Sequence, residues 1–181
     1  MDLQSVCREH GWSFCFIGGV AVQRWGIERF TKDADLTLMT DFINDEPFAR
    51  ALLSRFEPFR PDAMDIALRA RVLFLRHANG VPIDVALGGT EFERRSVSRG
   101  SPWVRDDGTE LFTCSAEDLI VHKAFAARLQ DWADVDNVLG VQRGKLDTAL
   151  ILRELAPLAE LQSKEDVMVR LAGLFKKHKL R

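Results

Sequence analysis

Apolar positions along this chain change their spacing about two-thirds of the way through. Up to residue 114 they come in short runs, often alternating with polar residues and cut by Gly, Pro, Asn and Asp; beyond it they recur every three or four residues. Alternation sends side chains to opposite faces of a strand, whereas the longer period gathers them on one side of a helix. The pattern predicts strands over 13–17, 34–39, 70–78 and 81–87, with Asn79-Gly80 as the tight turn joining the last two. A smaller hairpin is predicted within 104–114, turning at Asp106-Asp107-Gly108. Helices are predicted over 3–10, ended by Gly11, over 20–25, and over 46–56, ended by Pro58 and Pro61, with a helical turn over 63–68. Gly88-Gly89 breaks the pattern, and the polar stretch 91–98 reads as irregular or briefly helical. The last third predicts helices over 115–129, 131–141, 145–161 and 166–179, the first opened by Ser115 and Asp118 in a loose capping box.

Strands early and helices late predict an α+β protein. A small mixed β-sheet core over 1–114 is expected, with a helical C-terminal region over 115–181 packed on it. A length of 181 residues suits one domain with a helical extension, and 46% hydrophobic residues are enough for a proper core. A net charge of −2 gives no global attraction to nucleic acid or to anionic membranes. No apolar run reaches the ~18 residues of a membrane span, and the N-terminus does not read as a signal peptide. Cys7, Cys15 and Cys114 are too widely spaced for a zinc or disulfide pattern, so reduced thiols in a cytoplasmic protein are expected. His10, His77, His122 and His178 show no ligand spacing.

The chemistry concentrates in two short stretches. Gly18-Gly19 follows an apolar strand, where a glycine pair lets the backbone turn sharply and approach a phosphate. Asp33 and Asp35, at i and i+2 of a strand, point to one face and repel each other. A divalent cation relieves that repulsion, and Mg²⁺ takes carboxylate oxygens together with substrate phosphates. Asp84 is a lone acid in the apolar run 81–87, costly unless something pairs with it. These residues read as a nucleotide–metal site, with Asp33, Asp35 and Asp84 as metal ligands and Gly18 and Gly19 beside the phosphates.

The arrangement resembles the nucleotidyltransferase superfamily of the polymerase-beta type. The pieces are Ile17-Gly18-Gly19, a spacer, Asp33-Ala34-Asp35-Leu36 and Asp84. It is more closely similar to AbiEii-like nucleotidyltransferases, many of them toxins of toxin–antitoxin pairs. The residues carrying this are Gly18-Gly19-Val20-Ala21, Gly26, Arg29-Phe30-Thr31-Lys32-Asp33-Ala34-Asp35, and later Lys123, Ala124, Ala127, Arg128, Asp131 and Asp134. The resemblance covers roughly 14–139. It implies metal-dependent transfer of a nucleoside monophosphate from a nucleoside triphosphate to a hydroxyl, with Mg²⁺ or Mn²⁺ as cofactor. The acceptor is an RNA, a protein or a small molecule, and a toxin would have an antitoxin partner. Asp33, Asp35 and Asp84 would be catalytic; Gly18, Gly19, Thr31 and Lys123 would bind the nucleotide.

Blander readings stand beside these. A mid-helix lysine such as Lys123 is ordinarily solvated, and Arg128 with Asp131 or Asp134 reads as a structural ion pair. Arg29 could reach a phosphate or remain loop charge. The basic tail 176–181 reads as a frayed, solvated helix end favoured by the helix dipole. Two other functions remain open: an antibiotic or small-molecule adenylyltransferase, favoured by an acidic acceptor cleft, and a non-catalytic nucleotide-binding relative. A basic cleft from Arg69, Arg71, Arg76, Arg94 and Arg95 would favour RNA.

Overall fold

A computed structural model describes residues 3–42, 44–164 and 166–180. They form two compact units, one of residues 3–20 and 30–114, the other of residues 21–29 and 115–180. The protein is mixed α and β, with a seven-stranded mixed sheet in the first unit. No described helix is long and apolar enough to cross a membrane.

The elements run α1 (Leu3–Glu9), β1 (Phe14–Phe16), α2 (Gly18–Trp25), β2 (Ala34–Met39), α3 (Glu46–Leu53), β3 (Glu57–Pro58), α4 (Ala63–Ala70), β4 (Val72–Arg76) and β5 (Pro82–Gly88). Then come α5 (Glu91–Ser98), β6 (Ser101–Val104), β7 (Glu110–Thr113), α6 (Ala116–Ala126), α7 (Leu129–Val141), α8 (Thr148–Leu161) and α9 (Asp166–Lys177). The strand order is β3-β4-β5-β2-β1-β7-β6. The β2–β5 and β1–β7 pairs are parallel; the other pairs are antiparallel.

Period-two alternation decides which face is core. Leu36 and Leu38 of β2, Ile83, Val85 and Leu87 of β5, Leu73 and Leu75 of β4, and Phe14 and Phe16 of β1 join one buried cluster. Val6, Ala49, Leu52, Ala63 and Ala67, from α1, α3 and α4, belong to the same cluster. The intervening positions face the other way, so Asp35 and Thr37 of β2 and Asp84 of β5 lie on the opposite side of the sheet. At one end of that side, a Cβ on Gly88 would meet Thr37, Met39 and Glu93, so α5 covers it; Thr37 is buried there. At the other end stand the acids.

Several elements differ from the sequence pattern. The stretch 91–98 is a full helix, because Thr90 and Glu93 close a capping box at its start and Phe92, Ser96 and Val97 bury one side. The helical turn at 63–68 extends to Ala70, and Arg71 ends it in the left-handed conformation, φ +57°. The 115–129 helix is interrupted: Ala127 adopts φ +58° and caps α6, and Arg128 begins α7. The 104–114 hairpin begins earlier, at Ser101. Pro58, read as a helix stop, also pairs with Leu75 in β3 at the sheet edge, where a missing N–H is tolerated. The tail is tied down, with Lys177 Nζ 2.6 Å and His178 Nε2 2.7 Å from the Asp136 carboxylate.

Candidate active site

The parallel pairing of β2 and β5 sets Asp35 directly opposite Asp84. Adjacent strands lie about 4.8 Å apart, so paired residues hold their side chains side by side. Asp33 lies in a bend just before β2 rather than in the strand, and its charge still acts on Asp84. The electrostatics agree. The Asp84 carboxyl is pushed up to about 6, first by burial, then by the charges of Asp35 and Asp33. The lone acid of β5 and the pair at β2 thus form one coupled group.

The glycine turn closes directly onto these acids. Gly18 has φ +55°, and a Cβ there would lie 1.8 Å from Asp35 Oδ2. No side chain other than hydrogen fits while Asp35 holds its place. A Cβ on Gly19 would lie 2.2 Å from Thr31 Oγ1. Thr31 in turn donates from its hydroxyl to Asp33 Oδ1 at 3.0 Å. The Ile17 amide donates to the Asp35 carbonyl at 3.0 Å, fixing the turn against β2. The bare Cα atoms at 18 and 19 therefore make room for Asp35 and Thr31. Helix α2 begins at Gly18, and its unpaired first amides are suited to an anion.

The donor set is all hard oxygen, which suits Mg²⁺ or Mn²⁺. A cation would also relieve the repulsion that raises Asp84. The carboxylates are not gathered into a closed cage: among the described residues, no group of three or more His, Cys, Asp or Glu is placed to hold a metal ion. Asp33, Asp35 and Asp84 would therefore supply only part of such a cation's ligands.

In the helical unit, Lys123 is buried. Its ammonium lies 3.0 Å from Asp131 Oδ1 and 2.9 Å from Asp134 Oδ2. Arg128 binds Asp131 at 2.7 Å, the structural pair the sequence suggested. Arg29 grips Asp134 with two bonds, Nε to Oδ1 at 2.9 Å and a terminal nitrogen to Oδ2 at 2.8 Å. Burial alone would push both aspartates up. Hydrogen bonds from Arg128 and Lys123 outweigh it at Asp131, and those from Arg29, Lys123 and Gln130 outweigh it at Asp134, so both stay below the usual range. Arg29, Lys123 and Arg128 thus converge on the Asp131 and Asp134 carboxylates. Sequence reading missed the Arg29–Asp134 pair; its only signal was two complementary charges far apart in the chain.

The other candidates have structural partners. Cys7, Cys15 and Cys114 are buried and form no disulfide. Trp132 is buried beneath the Arg170 guanidinium, and Arg105 lies over Trp103. Of the arginines considered for a basic cleft, Arg71 binds Asp45, Thr40 and the Leu87 carbonyl, Arg94 binds Asp41, Arg95 lies near Glu91, Arg76 stacks on Phe59 and Arg69 donates to the Asp65 carbonyl.

No family model matches the chain. No curated protein matches it either. Solved structures that resemble it include an antigenic nucleotidyltransferase-like protein from Paracoccidioides brasiliensis. That likeness has a TM-score of 0.49 and 16% identity, covering 97% of this chain and 84% of the other. The solution structure of the antibiotic-resistance factor ANT(2'')-Ia matches with a TM-score of 0.49 and 13% identity, covering 97% of this chain and 92% of the other. Neither reaches a TM-score of 0.5, and at these identities neither fixes a family or a substrate for this chain.

Proposed function

We propose that this protein is a divalent-cation-dependent nucleotidyltransferase. It would move a nucleoside monophosphate from a nucleoside triphosphate to a hydroxyl acceptor. The observation that carries the reading is the in-register Asp35–Asp84 pair with Gly18 closed onto Asp35. A protein need not spend a steric constraint and a destabilised carboxyl on the same spot unless the acids have work to do.

In this reading the acceptor oxygen attacks the α-phosphorus. One P–O bond forms there as the bond to the α,β-bridging oxygen breaks, and pyrophosphate leaves. Asp84, on the strand beside Asp35, would also help to take the acceptor's proton. Asp33, Asp35 and Asp84 would hold Mg²⁺ or Mn²⁺, which when bound supplies positive charge to the triphosphate and pyrophosphate oxygens. Thr31 fixes the Asp33 carboxylate, and the first amides of α2 offer donors to phosphate. Lys123 stays in the reading as a phosphate-binding cation on the strength of the sequence resemblance alone, its ammonium being held by Asp131 and Asp134. We extend the proposal to an RNA acceptor, a toxin's role and an antitoxin partner on the strength of the sequence motif alone.

The test is incubation with each α-labelled nucleoside triphosphate and Mg²⁺, offering total RNA, cell extract or an aminoglycoside as acceptor. Transfer of label by the wild type, abolished in Asp35→Asn and by chelation, is the expected result. Asp35→Asn with near wild-type transfer would remove the assigned role. Label on the aminoglycoside alone would replace RNA by a small-molecule acceptor.

A further inference from the structure

A hollow of about 690 Å³ opens at the end of β2 away from the acids, within the first unit. It is lined by Met39, the last residue of β2, whereas Asp35 is the second. Four residue steps along the strand separate the two by about 13 Å. The hollow is therefore a separate place from the proposed active site, and its size lies in the ~300–1,000 Å³ range of small-molecule sites.

Its apolar walls are aromatic and hold one another. Trp12 and Phe48 have ring centroids 4.9 Å apart, and His10 stacks on Trp12 at 4.4 Å. Phe14 and Phe112 meet edge-on at 6.0 Å. Rings braced in this way give the hollow a fixed aromatic wall for an apolar body. The charged lining residues are Arg8, Arg94 and Asp41. Arg8 pairs with Glu110 and Arg94 with Asp41, all four side chains being roughly half-exposed. Such pairs are weak and exchange readily for an incoming acid group.

The backbone at the rim adds a second observation. Asp41 and Phe42 both lie in the left-handed region, at φ +60° and +58°. Consecutive non-glycine residues there are strained, and strain of this kind collects at ligand sites. The Phe42 ring is held against Gly89, where a Cβ would meet it at 2.4 Å, and under the Arg71 guanidinium at 4.2 Å. The price of the turn is accepted, and the Asp41 carboxylate stands 3.0 Å from Arg94.

We propose that this hollow binds a small amphipathic anion, a planar apolar body bearing a carboxylate, sulfonate or phosphate group. The rings take the body, and Arg8 and Arg94 take the acid group.

Two fluorescent probes test this: anilinonaphthalene sulfonate and the uncharged N-phenylnaphthylamine, titrated against the full chain. The expected result is saturable one-to-one binding that favours the sulfonate, with quenching of Trp12 that disappears in Trp12→Phe. Arg8→Gln with Arg94→Gln should weaken the sulfonate about tenfold, what one lost charge-assisted hydrogen bond is worth, and leave the neutral probe nearly unchanged. Ser98→Trp, which fills the hollow from an exposed lining position, should abolish both, with folding checked by circular dichroism. Unsaturable binding, equal affinity for both probes, or wild-type affinity in a folded Ser98→Trp protein would overturn the proposal. The arginine variants sit at exposed positions and decide the matter even if Ser98→Trp fails to fold.

Discussion

Asp84 carries a cost that can be measured without any substrate. Its folded pKa of about 6 lies above the 3.8 of a free aspartate, so between pH ~4 and ~6 the folded state binds more protons than the unfolded one. Stability therefore falls as pH rises through that window and stays reduced above it. Asp84→Asn should remove this loss and raise stability at pH 7–8 by roughly 1 kcal/mol, the shift being discounted because the group is partly exposed. Urea unfolding of both proteins at pH 4, 5, 6 and 7.5 checks it; a gap that does not widen with pH would refute the coupling. The glycine makes an independent prediction. Gly18→Ala drives a methyl into Asp35 Oδ2 at a positive φ, so it should destabilise by about 2 kcal/mol or more. Gly18→Ala with Asp35→Ala should recover much of that loss in thermal melts while transferring no label. Failure of the second change to relieve the first would separate the two residues. Asp33, Asp35 and Asp84 could be picked from sequence because a charge in an apolar run is conspicuous. The steric dependence of Gly18 on Asp35 could not, since a glycine pair looks the same whether it admits a phosphate or a carboxylate.

Most elements of the sheet were legible because alternating burial leaves a period-two trace. β2, β4 and β5 with their Asn79-Gly80 turn follow it. Helix α5 was obscured because it buries only Phe92, Ser96 and Val97, too few for a clear stripe. Its signal was instead Thr90-x-x-Glu93, whose side chains satisfy each other's backbone amides. Thr90→Ala should accordingly cost about 1 kcal/mol, read as a lower melting temperature. The break between α6 and α7 left no trace, because alanine is an ordinary helix former and only its position in the fold forces φ +58°. Ala127→Gly should stabilise the protein by about 1 kcal/mol, since glycine adopts that conformation freely. A melting temperature unchanged or lowered by this substitution would contradict the left-handed cap.

At the level of the whole chain, the sequence divided the molecule at 114/115, while residues 21–29 group with the later helices. Nothing in their composition announces this; the reason lies in partners more than a hundred residues away. The Ile27 amide donates to the Asn137 side chain, Gln142 donates to the Trp25 carbonyl, and Arg29 grips Asp134. Asp134→Asn would leave Arg29 and Lys123 short of a buried counter-charge and should cost about 3 kcal/mol or more. Chemical denaturation measures this, and a loss below 1 kcal/mol would mean that the cluster is dispensable. There is also a consequence for the order of synthesis. Asp134 is made 105 residues after Arg29. At ~5–20 residues per second, segment 21–29 waits about 5–20 s for its partners to leave the ribosome. Through that interval segment 21–29 has nothing yet to fold against, so the nascent chain would complete the second unit only near the end of translation.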